Sequence, residues 1–155
     1  MKTPCLWHFR RGIPSKPVVL LLHGALSSSM MWPNTFVNSL ADRFNVHAVD
    51  LRESGKSGMG EKLYDLNDMA EDVSYFMTIH RLKNVHLVGA SMGGAVSQLV
   101  AINEGENVKS LSLLMTTSER GIWGKALPSS TSEQLNCIKR EYDYYINGDI
   151  VSGLR

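Results

Sequence analysis

The sequence has 155 residues, the usual size of a single folded domain. Its 43% of hydrophobic and 20% of charged residues exclude a disordered or collagen-like chain. Because the formal net charge is only +1, the chain lacks the excess positive charge of a nucleic-acid-binding protein, and nucleic acid is not an expected partner.

The start of the chain has no features of a secretory leader. Pro4 and His8 interrupt it before an apolar run of signal-peptide length can form. The longest apolar run, Val18–Leu22, is too short to cross a bilayer. Neither of the two cysteines lies in a recognisable motif, and both are expected to be reduced. These features predict a cytoplasmic protein with no membrane partner.

Short apolar runs alternate with amphipathic segments along the chain, and this pattern predicts strands at residues 6–10, 18–22, 44–49, 85–88 and 108–115. Apolar residues recur at the helical period after residue 32, from Leu66 and from Ala95, and Asp65 is predicted to cap the second of these helices. Strand–helix alternation predicts a three-layer α/β/α domain with a mostly parallel sheet. A loop at residues 116–131 and a further helix at 132–146 are predicted to follow.

The clearest chemical motif is GASMGG at residues 89–94, between a predicted strand and a predicted helix. It matches the nucleophile elbow G-x-S-x-G, a turn so tight that its serine adopts strained backbone angles. Only small residues fit two positions before and after the serine, as Gly89 and Gly93 do. Ser91 is therefore the predicted nucleophile, and the N–H of Met92 at the helix start would face an oxyanion. The alternative is a glycine-rich turn whose serine only caps the helix.

A second motif, Leu-Leu-His-Gly-Ala at residues 21–25, ends the most apolar predicted strand. In enzymes with such an elbow, the loop after an earlier strand donates the other oxyanion N–H. Gly24 would let the backbone come close to the substrate, and Ala25 is the matching donor. His23 is predicted to order this loop rather than to transfer protons.

With these two motifs the sequence resembles the α/β-hydrolase superfamily. Residues 50–57, DLRESGKS, are similar to that family's D-x-R-G-x-G-x-S loop, although Glu53 replaces a glycine. From the residues alone, Asp50 and Arg52 are predicted to form a structural turn pair.

The resemblance covers most of residues 5–135 and is closest to the branch that contains aclacinomycin-methylesterase-like ester hydrolases. Four features carry this closer likeness: the acidic residue in the DLRESGKS loop, the GASMGG motif, the run at residues 107–111, and the Thr116-Thr117 pair. The resemblance implies an α/β-hydrolase core at residues 1–120, followed at 121–155 by a loop and the start of a helical cap.

In this family the catalytic acid and histidine follow the serine in chain order. Residues 92–155 contain no histidine, and Glu119, which could imitate the acid, has no histidine to orient. The resemblance therefore implies a truncated enzyme that ends inside the cap. Because serine is a poor nucleophile without a general base, little activity is expected of this chain alone.

These features predict a serine hydrolase that cleaves a carboxylic ester or similar acyl bond of a small molecule through an acyl-enzyme, with no metal or organic cofactor. Two alternatives stay open: a non-catalytic binding or interaction module that kept the fold, and a half-site completed by another chain. The strand at residues 108–115 would have an unpaired edge, which favours self-association.

Overall fold

The computed structural model describes residues 5–58 and 64–116. Within these residues the chain alternates strands and helices, with 3₁₀ turns at Ser29–Met31 and Gly105–Asn107. The elements in chain order are β1 (His8–Gly12), β2 (Val18–Leu22), α1 (Asn34–Ala41), β3 (Asn45–Val49), α2 (Leu66–Ile79), β4 (Val85–Ala90), α3 (Met92–Glu104) and β5 (Val108–Leu114).

The strands form one sheet in the spatial order β1-β3-β2-β4-β5. β1 pairs with β3 in antiparallel orientation, whereas the β3–β2, β2–β4 and β4–β5 pairs are parallel. Parallel neighbours require crossover connections, and the helices between these strands supply them. The carboxyl ends of β2, β3, β4 and β5 therefore meet at one edge of the sheet.

Helices cover both faces of the sheet. On one face α2 and α3 pack against the side chains of Leu20, Leu22 and Leu87, and on the other α1 contributes Val37 to a second apolar cluster. Because β2 lies at the centre with both faces covered, Leu20, Leu21 and Leu22 are fully buried, as its uninterrupted aliphatic run predicts. The predicted three-layer α/β/α architecture with a mostly parallel sheet is confirmed.

The predicted cap of α2 is also present. The Asp65 carboxylate accepts hydrogen bonds from the N–H groups of Asn67 and Asp68, at 2.8 and 3.1 Å. The Asp68 carboxylate in turn accepts the N–H of Asp65 at 2.8 Å. This reciprocal capping box satisfies amide groups that the first helical turn leaves unpaired.

The first strand lies later than predicted, at His8–Gly12 instead of residues 6–10. Its second half is polar and exposed, which an antiparallel edge strand tolerates but a hydrophobicity pattern does not reveal. The predicted loop at 116–131 and helix at 132–146 lie outside the described residues, apart from Thr116. The proposed domain limits at 120 and 121 therefore stay predictions.

At the opposite side of the sheet, β5 pairs only with β4 among the described strands. Its leucines Leu111, Leu113 and Leu114 are each more than a third exposed. Among residues 5–58 and 64–116, no helix is long and apolar enough to span a membrane.

Candidate active site

Ser91 occupies the sharp turn between β4, which ends at Ala90, and α3, which begins at Met92. Its backbone angles, φ 50° and ψ −119°, are rarely adopted by a residue other than glycine and cost about 1–3 kcal/mol. The serine is partly exposed and its side chain makes no capping hydrogen bond to α3. The hydroxyl therefore lies at the carboxyl edge of the sheet without a hydrogen bond to the helix.

Close backbone packing accounts for the glycines on either side of the serine. A Cβ atom at Gly89 would overlap the Gly93 carbonyl oxygen and the Ser97 hydroxyl, and a Cβ at Gly93 would overlap the carbonyl oxygens of Leu22 and His23. The end of β4 and the start of α3 can thus approach each other and the end of β2 only without side chains at these two positions. The elbow is a packed unit built from both strands.

The loop after β2 passes directly beside the serine. A Cβ atom built on Gly24 would lie 3.4 Å from the Ser91 Cβ and 3.9 Å from its Oγ. Ala25 follows in this loop, and Met92 occupies the first turn of α3, where amide groups have no partner inside the helix. Within the described residues, neither the Ala25 nor the Met92 N–H has a hydrogen-bond acceptor. The Gly24 N–H, in contrast, donates to the Met31 Sδ at 3.4 Å.

His23 is fully buried, and both nitrogens of its ring are engaged. Nε2 accepts the Leu51 N–H at 3.0 Å, so the ring proton is on Nδ1, which donates to the Gly24 carbonyl oxygen at 2.7 Å. Burial lowers the pKa of His23, against the opposing effects of the Gly24 carbonyl and of Asp50. A neutral imidazole with both nitrogens in use ties the loop after β2 to the loop after β3.

Asp50, which follows β3, is a structural centre for the same loops. Its carboxylate accepts the Ser29 N–H at 2.6 Å and the Lys56 N–H at 2.8 Å. Gly55 lies against this carboxylate with a φ of 55°, and a Cβ there would overlap it. Asp50 therefore holds together the loops that follow β2 and β3.

Arg52, like Asp50, makes structural contacts as predicted, but the two side chains are not bonded to each other. Arg52 instead donates from Nε to the Asp72 carboxylate of α2 at 2.5 Å and from a terminal nitrogen to the Asp68 carbonyl oxygen at 3.0 Å. The guanidinium also lies over the Tyr64 ring, 5.1 Å from its centroid. Glu53 has a φ of 58°, a left-handed conformation that glycine adopts more easily. This agrees with the glycine that the family pattern has at this position.

None of the five histidines is hydrogen-bonded to Ser91. The ring centroids of His8, His47 and His80 lie 4.7–6.4 Å from one another. All three rings also contact Phe76. His86 is paired through Nδ1 with the Ser110 hydroxyl at 2.7 Å. Glu119 lies outside the described residues, which also contain no group of three or more metal-ligating side chains.

Three residues that support the elbow were not predicted from the sequence. Ser97, fully buried in α3, donates from its hydroxyl to the Gly93 carbonyl oxygen at 2.7 Å. Met31 accepts the Gly24 N–H, and Thr116 donates to the Ser91 carbonyl oxygen at 2.7 Å. The only sequence signal for any of them is the Thr116-Thr117 pair.

A parallel sheet that delivers a strained, partly exposed serine to its carboxyl edge defines the architecture of the α/β hydrolases. The model of the alpha/beta hydrolase fold family matches residues 17–136, and the chain belongs to this family. The superfamily membership expected from the motifs is confirmed.

Among curated relatives, a probable lysophospholipase, BODYGUARD 3 of Arabidopsis thaliana, is 35% identical over 109 residues, which are 66% of this chain and 22% of that protein. A pimeloyl-[acyl-carrier protein] methyl ester esterase of Aeromonas hydrophila is 36% identical over 96 residues, covering 61% of this chain and 36% of the relative. A rhodomycin D methylesterase of Streptomyces is 28% identical, with 71% and 38% covered. The chain thus spans about a fifth to two-fifths of the length of these relatives.

Solved structures agree with this assignment. A marine microorganism esterase superposes with a TM-score of 0.65 and 30% identity, covering 70% of this chain and 40% of that one. A membrane phospholipase A described as a bacterial virulence factor gives a TM-score of 0.69 and 32% identity, with 72% and 36% covered. Ester-cleaving enzymes thus recur among the relatives of this chain.

Proposed function

We propose that this chain is the nucleophile-bearing part of a serine hydrolase that cleaves carboxylic esters or similar acyl bonds of small molecules. The observation that carries the proposal is Ser91 itself, a strained and partly exposed serine at the carboxyl edge of the sheet, whose hydroxyl makes no capping hydrogen bond to α3. The esterases and phospholipases among its relatives support the substrate class.

In the proposed reaction, Ser91 Oγ forms a bond to the acyl carbon while its proton passes to a general base. The negative charge that develops on the carbonyl oxygen is stabilised by the N–H groups of Ala25 and Met92. The ester C–O bond then breaks as the base passes its proton to the leaving oxygen, and the alcohol departs. Water, deprotonated by the same base, attacks the acyl-enzyme, which releases the carboxylic acid and restores the serine hydroxyl.

The general base of this reaction is not assigned to any residue of the chain. No histidine follows Ser91 in the sequence. None of the five that precede it is hydrogen-bonded to Ser91. We infer that the chain by itself turns over little substrate. Loss of one triad member typically reduces the rate by several orders of magnitude.

If Ser91 has no general base, its reaction with an activated ester should stop at the acyl-enzyme. On incubation with p-nitrophenyl butyrate, Ser91 is expected to become acylated slowly and to stay acylated, because water attack also needs a base. Intact-mass measurement and peptide mapping should find one butyryl group on Ser91. Added imidazole should accelerate the Ser91-dependent release of nitrophenol.

Two serine variants provide the controls. Ser91→Ala should abolish the adduct and the imidazole effect, whereas Ser39→Ala, which removes an exposed hydroxyl on α1, should change neither. Equal acylation of Ser91→Ala would overturn the assignment of the nucleophile. Sustained Ser91-dependent turnover without imidazole would overturn the inference that the chain lacks a working base.

A non-catalytic binding or interaction module is the second candidate, favoured because none of the five histidines is hydrogen-bonded to Ser91. It predicts no covalent adduct and a ligand or partner affinity that Ser91→Ala leaves unchanged. A half-site completed by another chain is the third, favoured by the exposed leucines of β5. A cytoplasmic location remains part of the proposal.

A further inference from the structure

The end of β5 holds the backbone of Ser91 at both of its polar groups. The Ser91 N–H donates to the Leu114 carbonyl oxygen at 2.8 Å, and the Thr116 hydroxyl donates to the Ser91 carbonyl oxygen at 2.7 Å. The two peptide groups that flank the serine are thereby fixed from the same neighbouring segment.

These two bonds act on a conformation that needs support. With φ 50° and ψ −119°, Ser91 would relax by rotation of either flanking peptide group, and each rotation would redirect its side chain. The Ser91 carbonyl oxygen also accepts the N–H groups of Gly94 at 2.9 Å and Ala95 at 3.2 Å, as the start of α3 requires. The Thr116 hydroxyl adds a bond from outside the helix, so it restrains the elbow relative to the sheet.

Local features place Thr116 at this point. Met115 has a φ of 48°, a left-handed turn directly between the end of β5 and Thr116. On α3, a Cβ atom at Gly94 would come within 2.6 Å of the Thr116 Cγ2 and 2.8 Å of its Oγ1. The second glycine of the Gly93-Gly94 pair therefore makes room for the threonine side chain, which accounts for a glycine that the elbow motif itself does not require.

We propose that Thr116 is a positioning residue for the nucleophile, and that its hydroxyl holds the Ser91 elbow in the conformation that presents the Ser91 hydroxyl for acylation. This inference rests on the proposed function of Ser91. Thr116 acts through the backbone of the serine and has no contact with the reacting atoms in this assignment.

The test compares Thr116→Val, which keeps the shape but removes the hydroxyl, with Thr116→Ser, which keeps the hydroxyl. Acylation by p-nitrophenyl butyrate is followed over a range of ester concentrations in the imidazole-supplemented assay. Because one hydrogen bond to a carbonyl is removed, Thr116→Val should lower the saturating acylation rate roughly five- to tenfold. The half-saturating ester concentration should not change, and Thr116→Ser should restore most of the rate.

Thr78→Val is the matched control, because the Thr78 hydroxyl donates to the Ser74 carbonyl oxygen within α2, in a similar bond away from the elbow. It should leave the acylation rate unchanged. If Thr116→Val does not fold, Gly94→Ala provides the second test, since the added methyl group displaces the threonine from the helix side. The same loss of rate is expected.

The outcomes separate this inference from the proposed function. If wild-type Ser91 is acylated and Thr116→Val reacts at the wild-type rate, the positioning role is overturned and the nucleophile stands. If wild-type Ser91 is not acylated, both are overturned. A rate that falls equally in Thr116→Val and Thr116→Ser would also refute the role of the hydroxyl.

Discussion

The cluster of His8, His47 and His80 predicts that the protein loses stability in mild acid. His47, in β3, is only 3% exposed, and neither of its ring nitrogens has a hydrogen-bond partner within the described residues. The His8 ring is stacked 5.2 Å away, and Arg10 lies directly opposite on β1. From α2, His80 approaches His47 with a centroid distance of 6.4 Å. A proton on His47 would thus be buried among other positive or protonatable groups.

The size of this loss of stability follows from the pKa of His47. Burial, followed by the charges of His8, His80 and Arg10, lowers the pKa of His47 from 6.5 to about 4. The folded protein therefore binds this proton less tightly than the unfolded chain does. Above pH 6.5 the group has no effect, but as the pH falls from 6.5 to about 4 it removes roughly 3 kcal/mol from the free energy of unfolding. Burial lowers the pKa of His8 and His80 in the same direction.

Urea unfolding followed by tryptophan fluorescence, at intervals between pH 8 and pH 4.5, would measure this loss. His47→Leu should flatten the dependence by about 1.4 kcal/mol per pH unit below pH 6. At pH 8 the substitution should leave the free energy of unfolding nearly unchanged, because it replaces a buried polar ring whose nitrogens have no hydrogen-bond partner. His86→Gln, on the opposite face of the sheet, is the control for the loss of a histidine. The same acid sensitivity in wild type and His47→Leu would show that the burial of His47 does not cause the loss of stability.

Three further perturbations test other parts of the structure. Gly93→Ala should lower the free energy of unfolding by about 3 kcal/mol, because the added methyl group overlaps two carbonyl oxygens at the end of β2. The control Gly58→Ala, at a position with open space around it, should leave this free energy unchanged, and equal melting temperatures of the two variants would contradict the prediction. Asp72→Asn should lower the free energy of unfolding, measured with urea, by about 3 kcal/mol, because it leaves the largely buried Arg52 guanidinium without its carboxylate partner. A variant as stable as the wild type would show that the ion pair contributes nothing to stability. Leu113→Lys should shift any self-association through the β5 edge towards monomer in light scattering, and a wild-type protein that stays monomeric at high concentration would exclude such association.

Features whose cause is local in the sequence were predicted well. The aliphatic run of β2 and the periodicity of α2 each depend on neighbouring residues, and so does the cap formed by Asp65. The turn at Ser91 is equally local, because the glycines two positions away are what permit it. Such features can be predicted because the residues that produce them are adjacent in the chain.

Features that depend on distant residues were missed. Arg52 pairs with Asp72, 20 residues away on α2, and the sequence predicted only a structural role for Arg52 in the turn with Asp50. Thr116 meets Ser91 only because β5 lies beside β4, and the stacking of His8 on His47 follows from the antiparallel register of β1. No periodicity or motif encodes these contacts, which arise from the order of strands in the sheet.

The same distinction bears on the proposed function, in which Ser91 is the nucleophile and no residue of the chain is assigned as its base. The strain at Ser91, about 1–3 kcal/mol, is supported by bonds from the end of β5 and by glycine contacts with the end of β2. These supports lie in the described residues, and none of them is a side chain proposed to transfer protons. A base changes the reactivity of the hydroxyl but not its position. Acylation of Ser91 and turnover should therefore be separable properties of this chain, the first governed by the elbow and the second by proton transfer.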